Sequence, residues 1–199
     1  MKLIIASNNK HKIKEIKEIL GSEFEEIISQ REAGISHDTV EDGTTFLENA
    51  MKKAREMAEI SGCPSLADDS GICAHALGGE PGIYSARYSG IAGGHGDDEA
   101  NNDLLLKNLA DKADRSAHYT CAMVICYPDG RSISAEGYLY GKIIEKRRGN
   151  GGFGYDPLFV PDGESRTVAE MTDEEKNKIS HRGGALKAVL EKIRRAEFD

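Results

Sequence analysis

The chain has 199 residues, 39% of them hydrophobic and 30% charged, enough to bury a core beneath a well-solvated surface. Its 26 Lys and Arg against 34 Asp and Glu leave a net charge of −8, which argues against a general nucleic-acid binder, whose affinity comes mostly from phosphate contacts. No apolar run approaches the roughly 20 residues of a membrane span, and Met1–Ala6 is too short for a secretory signal, so a soluble, cytoplasmic protein of one domain, residues 1–199, is expected.

In chain order, residues 2–6 read as a short buried strand. Ser7-Asn8-Asn9-Lys10-His11-Lys12 follows, and then Ile13, Ile16, Ile19 and Leu20 recur at helical spacing over 10–20, with Gly21 as the stop. Small polar residues between a strand and a helix suit capping, and they offer backbone N–H groups and the Lys12 charge to an anion. The spacing of a Walker loop is missing. Glu41-Asp42-Gly43 leads into Thr45-Phe46-Leu47-Glu48, which has the form of a capping box opening a helix to about residue 60. On that helix Asn49 and Lys53 are four residues apart and share one face.

Leu66-Ala67-Asp68-Asp69-Ser70-Gly71 carries the densest chemistry. Adjacent carboxylates raise each other's cost of ionisation, and a divalent cation offsets that repulsion. Taken alone the segment reads as a surface turn. Taken with a loop carboxylate, Glu41, it suggests an oxygen shell for Mg²⁺ completed by Asp69, with Gly71 allowing a sharp turn or a close approach to a ligand. Residues 65–76 are expected as a strand, the carboxylates and a second strand. Gly78–Gly82 is a turn, Ile91–Gly96 a Gly-rich loop and 101–109 a helix, while 119–127 and 131–140 are strands joined by Pro128-Asp129-Gly130.

Gly149-Asn150-Gly151-Gly152-Phe153-Gly154-Tyr155-Asp156-Pro157 holds two rings among four glycines, a composition that suits a flat base. The basic run Lys142, Lys146, Arg147, Arg148 beside it reads as a solvated edge. Thr172-Asp173-Glu174-Glu175 is a second capping box, and 184–195 is the last helix. Between them lies Lys176-Asn177-Lys178-Ile179-Ser180-His181-Arg182-Gly183, where Arg182 has the donors to read O6 and N7 of a 6-oxopurine. Adenine would leave those donors unpaired. Cys63, Cys73, Cys121 and Cys126 make no CxxC pair and read as structural filler. Strands alternate with helices and then pair as a hairpin, which gives an α/β class with a mixed sheet.

The segments SNNKHK, EDGTTFLENAMKKA, LADDSG, PGIYSARYSG, GGFGYDPLF and EKNKISHRGGALK, in this order from residue 3 to about 190, closely resemble the inosine/xanthosine triphosphate pyrophosphatase family. The resemblance implies hydrolysis of deaminated purine nucleoside triphosphates to monophosphate and pyrophosphate. It implies a long mixed β-sheet flanked by helices, two lobes with a central cleft, and a homodimer. It places residues 7–12 on the triphosphate with help from Lys53 and Lys176, and Glu41 and Asp69 on Mg²⁺. Asp69 is then also the base for the attacking water, with Asp68 supporting it. Ser70, Phe153, Gly154, Tyr155, Asp156, Lys176, His181 and Arg182 would contact the nucleotide, Phe153 by stacking and His181-Arg182 at the purine edge.

Many members carry Gly where this chain has Asn8, a residue that also tolerates turn geometry. A related family acting on thymidine or uridine triphosphates normally carries Ser-Pro-Arg-Arg where this chain has Asn-Lys-His-Lys. A sensor that binds without turnover is the alternative from another class. The carboxylates Glu41 and Asp69 speak against it.

Overall fold

The computed structural model describes residues 2–20, 23–90 and 97–199; Gly21 and the Gly-rich segment 91–96 lie outside them. In chain order the regular elements are β1 (Lys2–Ile5), α1 (Lys10–Leu20), β2 (Glu26–Ser29), α2 (Phe46–Ser61), β3 (Ser65–Ala74), α3 (Asp98–Asn108), β4 (Ser116–Cys126), β5 (Ser132–Ile143), β6 (Phe159–Pro161), α4 (Asp173–Ile179) and α5 (His181–Arg195). Among the described residues the strands form one sheet in the order β2-β1-β3-β4-β5-β6. Strand β1 is parallel to β2 and to β3, with Ile5 opposite Leu66, whereas β6 runs antiparallel to β5. The mixed α/β sheet expected from the pattern is therefore present. No helix among the described residues is long and apolar enough to cross a membrane.

The chain divides into two compact units, one of residues 1–69, 121–137 and 181–199, the other of 70–120 and 138–180. In the first unit the two-residue period of the strands sorts side chains to two faces. Leu3, Ile5, Leu66, Cys121, Met123 and Ile125 pack with Ile16 and Leu20 of α1 and Leu186, Val189 and Leu190 of α5. The alternate residues Ile4, Ala67, Ala122 and Val124 pack with Ala50, Ala54, Met57 and Ala58 of α2. Small alanines on α2 let that helix lie close to the sheet. In the second unit Ile72, Leu105, Leu109, Tyr119, Tyr155 and Phe159 belong to one buried cluster.

Local signals were followed closely in several places. The Thr45–Glu48 and Thr172–Glu175 capping boxes are both formed, and α2 ends at Gly62 with φ of 63°. The last helix begins three residues earlier than its glycine pair suggested, so His181 and Arg182 stand on its first turn. Strand β3 runs unbroken through Asp68, Asp69 and Ser70, which corrects the expectation of two strands separated by the carboxylates. The surface-turn reading fails for the same reason. Gly71 makes no turn and instead admits close packing, since a Cβ there would lie 2.4 Å from Gly82 O and from Ser85 Oγ. All four cysteines are free thiols.

Candidate active site

Both carboxylates of the first unit are fixed by β3, and helices α1, α2 and α5 bring cations to them. Asn9 starts α1, its Oδ1 accepting from the N–H groups of His11 (3.0 Å) and Lys12 (3.2 Å), while its own N–H donates to Ser7 Oγ. The capping role expected of residues 7–12 is met, but those two N–H groups are committed to the cap rather than held open for an anion. Asn8, Asn9, Lys10 and His11 are exposed. Lys12 is the member of the segment that reaches the carboxylates, its Nζ 3.0 Å from Asp68 Oδ2.

Asp68 is 3% exposed and meets a second cation, Arg182, whose Nε and one terminal nitrogen each lie 3.4 Å from Oδ2. The other terminal nitrogen of Arg182 pairs with Glu15. Burial alone would push the Asp68 carboxyl up. Lys12, Arg182 and Lys53 outweigh it and hold the group well below the usual carboxylate range. The two carboxylates in turn push the buried guanidinium of Arg182 further up against the opposing effect of burial.

Asp69 sits in a different field. Asn49 Nδ2 donates to its Oδ2 at 3.1 Å, and Lys53 Nζ lies 3.6 Å from its Oδ1. Asn49 is held in that orientation because its own Oδ1 accepts from Gly43 N–H at 2.9 Å. The shared helix face of Asn49 and Lys53 is therefore directed at Asp69. Lys53 also donates to Glu41 at 2.7 Å, so a single ammonium serves both carboxylates. Burial raises the Asp69 carboxyl and Glu41 adds to it, while Lys53 and Lys12 only partly oppose them. Burial pulls Lys53 down, but Asp69, Glu41 and Asp68 leave it raised and protonated.

Glu41 and Asp69 offer hard oxygen donors that already face one cation, which fits an Mg²⁺ bound by two carboxylates and substrate oxygens. Among the described residues no group of three or more His, Cys, Asp and Glu side chains is gathered for a metal, so the remaining positions would belong to phosphate and water. Cys121 Sγ lies 3.9 Å from Asp68 Oδ2, and burial pushes its thiol far up, which removes it as a nucleophile.

The second unit holds the other group of expected residues. Gly149, Gly152 and Gly154 have φ of 82°, 70° and 61°, and a Cβ on Gly152 would stand 2.1 Å from Asp156 Oδ2. Asp156 organises the loop. Its Oδ2 accepts from Phe153 N–H (3.0 Å) and from Lys176 (2.9 Å), and its Oδ1 accepts from the Tyr119 hydroxyl (3.2 Å). The Lys176 ammonium lies 4.5 Å from the Phe153 ring centroid. Ser70 of this unit is half-buried, and His181, which belongs to the first unit, is buried.

Tyr155 is 4% exposed and donates its hydroxyl to Ser85 O at 2.8 Å, so its ring forms the base of the loop. Arg182, at 1% exposure, has its guanidinium on Asp68 and Glu15 and so contributes to the field at Asp68. Arg147 and Arg148 are solvated-edge residues as expected, pairing with Glu99, Asp103 and Glu170.

Glu15, Asp98, Asn102 and Tyr119 were missed. Glu15 had a signal, since it follows Lys12 by three residues and any helix that aims one aims the other. Asp98 and Asn102, four apart on α3, grip Gly154 from both sides: Asp98 Oδ2 accepts from its N–H at 2.7 Å and Asn102 Nδ2 donates to its carbonyl at 2.9 Å.

A family model described as the Ham1 family matches residues 3–192. A dITP/XTP pyrophosphatase of Clostridium perfringens is 49% identical over 201 residues, covering 97% of each chain. One of Ralstonia nicotianae is 47% identical over 195 residues, covering 97% of this chain and 96% of its own. Among solved structures, the Ham1 protein of Staphylococcus aureus aligns with a TM-score of 0.86 at 37% identity, covering 99% of this chain and all of that one. A HAM1 protein from Coxiella burnetii aligns at 0.87 and 38% identity, covering 98% and 99%.

Proposed function

This chain belongs to the Ham1 family, and from that premise we propose that it is a pyrophosphohydrolase of deaminated purine nucleoside triphosphates. ITP, dITP and XTP would yield the monophosphate and pyrophosphate, clearing aberrant nucleotides from the pool. The names of its relatives support this substrate class. A homodimer in the cytoplasm, acting as one catalytic domain, is part of the same proposal.

The observation that carries the reading is the divergence of two neighbouring carboxylates. Asp68 is held ionised between Lys12 and Arg182, while Asp69, raised by burial in the metal-free chain, faces Asn49 and the Lys53 ammonium that it shares with Glu41. In the reaction, Asp69 takes a proton from a water whose oxygen attacks the α-phosphorus. The bond from that phosphorus to the α–β bridging oxygen breaks, and the electron pair leaves with pyrophosphate. Lys12 and Lys53 would screen the charge that accumulates on the leaving group. Glu41 and Asp69 would hold Mg²⁺, which when bound neutralises the triphosphate and polarises its oxygens. Phe153 would stack on the base with Lys176 beside it, and His181 would contact the nucleotide. Arg182 would act one step removed, by keeping Asp68 ionised.

The test incubates the purified chain with ITP, XTP, GTP, ATP, dTTP and UTP, with and without Mg²⁺, and identifies the products. Monophosphate and pyrophosphate from ITP and XTP alone, only with Mg²⁺, are expected. Intact triphosphates together with an ITP-dependent rise in melting temperature would replace the enzyme by a sensor.

A further inference from the structure

The second unit carries a histidine pair for which the proposed reaction has no use. His118 lies on β4, and His75 follows β3 at the start of a single 3-10 turn. Nε2 of His75 is 2.8 Å from Nδ1 of His118, and the two rings are tilted by 50°. Tyr138 and Tyr140 of β5 lie alongside, their rings 6.2 and 5.4 Å from that of His118, and both are about half exposed.

What distinguishes the pair from a chance contact is the chain of hydrogen bonds behind it. The Asp114 carboxylate accepts from the Ser116 N–H at 2.9 Å and also from the Ser116 hydroxyl. With its proton committed there, Ser116 Oγ accepts from His75 Nδ1–H at 2.9 Å. The His75 tautomer that this contact selects has its proton on Nδ1 and turns the Nε2 lone pair toward His118. A carboxylate-to-hydroxyl relay on the far nitrogen is the support that orients a metal-ligating imidazole. Burial and the neighbouring His75 both lower the His118 pKa.

We infer that His75 and His118 form a surface site for a divalent late transition metal, with copper(II) preferred over zinc(II). At metal–nitrogen distances of about 2.0–2.1 Å, two nitrogens sit about 2.9 Å apart at a right angle and about 3.4 Å apart at the tetrahedral angle. The 2.8 Å between the facing nitrogens is a hydrogen-bond distance and shows that the two rings approach closely enough to share one ion, while the preference for copper(II) follows from the affinity order of imidazole sites. Binding replaces the N–H···N bond between the rings. His118 passes its Nδ1 proton to Nε2 through solvent, the exposed His75 ring swings, and both facing nitrogens then present lone pairs with no net proton lost. Water completes the coordination, which makes the site an accessible chelator rather than a structural centre. Imidazole nitrogens discriminate against Mg²⁺, so this ion and the one at Glu41 and Asp69 would not compete.

The test titrates the whole chain with copper(II) against glycine as competitor, following tyrosine fluorescence, which no tryptophan obscures, and the copper paramagnetic resonance spectrum. One equivalent with coupling to two imidazole nitrogens is expected. His75→Ala and His118→Ala should each weaken it at least ten-fold, and Ser116→Ala should weaken it less. Melting temperature, and for His75→Ala the turnover of ITP with Mg²⁺, should match the parent protein and show that the fold is intact. Copper binding that is unchanged in His75→Ala, or a parent protein with no two-nitrogen copper signal, overturns the assignment.

Discussion

Neutralising either carboxylate of the pair at 68 and 69 should move stability in opposite directions. Asp68→Asn keeps size and shape but takes the charge from a group that Lys12 and Arg182 both contact. Removing one partner of a buried ion pair costs about 3–5 kcal/mol, because the other charge stays buried. Arg182 retains Glu15, and Lys12 is partly exposed, so the loss should fall near the lower bound. For a chain of this length 1 kcal/mol moves Tm by about 2–4 °C, so about 3 kcal/mol lowers it by about 6–12 °C. Asp69→Asn behaves otherwise. Its carboxyl is raised by burial, so the ionised form costs folding free energy at neutral pH, and a neutral amide removes that cost. Asn49 can still donate to the side-chain oxygen. Its Tm should equal or exceed that of the parent, while ITP turnover should be nearly abolished. Thermal unfolding by circular dichroism, without Mg²⁺ and near neutral pH, decides the matter. If Asp68→Asn is as stable as Asp69→Asn, the electrostatic division between the two residues is wrong.

Two further outcomes follow from the same geometry. In the Mg²⁺-free chain the Asp69 carboxyl, followed by NMR, should titrate above 3.8, the ordinary Asp value, and adding Mg²⁺ should bring it down. The depressed Asp68 contributes stability above the ordinary value that is lost only as pH falls through its lower folded value, so this titration should appear without unfolding; a metal-free value at or below 3.8 would refute this reading of Asp69. Asn102→Ala releases the carbonyl of Gly154 and should raise the KM for ITP with little change in kcat, by about 5–30-fold if about 1–2 kcal/mol of loop positioning is lost. An unchanged KM in the folded variant would detach α3 from base binding.

Elements whose signal is local were legible in the sequence. The apolar period of α1, the capping boxes of α2 and α4, and the turn at Pro128-Asp129-Gly130 each name their structure within a few residues. Strand β2 has two apolar residues and β6 three residues in all, too few to show a period. The Asp-Asp-Ser-Gly stretch misled because two adjacent carboxylates in a buried strand are costly until Lys12, Asn49, Lys53 and Arg182 arrive. Those partners are 16 to 114 residues away along the chain. The residue types of the site could be chosen from sequence, but the division of labour could not. That Arg182 meets two carboxylates depends on Glu15 and Asp68 converging on it.

The order in which the chain is made bears on how the first unit closes. Its members come from three stretches separated by the whole of the second unit, and the last to be synthesised brings α5 and Arg182. Until that stretch exists, Glu15 and Asp68 lack their shared guanidinium and the β-sheet face beneath α1 lacks Leu186, Val189 and Leu190. A nascent chain would therefore hold an unfinished, acid-lined face until that stretch has been made, an arrangement of long-range contacts that folds slowly and exposes apolar surface meanwhile. A chaperone that engages this protein would be expected to release it only after residue 190 has docked.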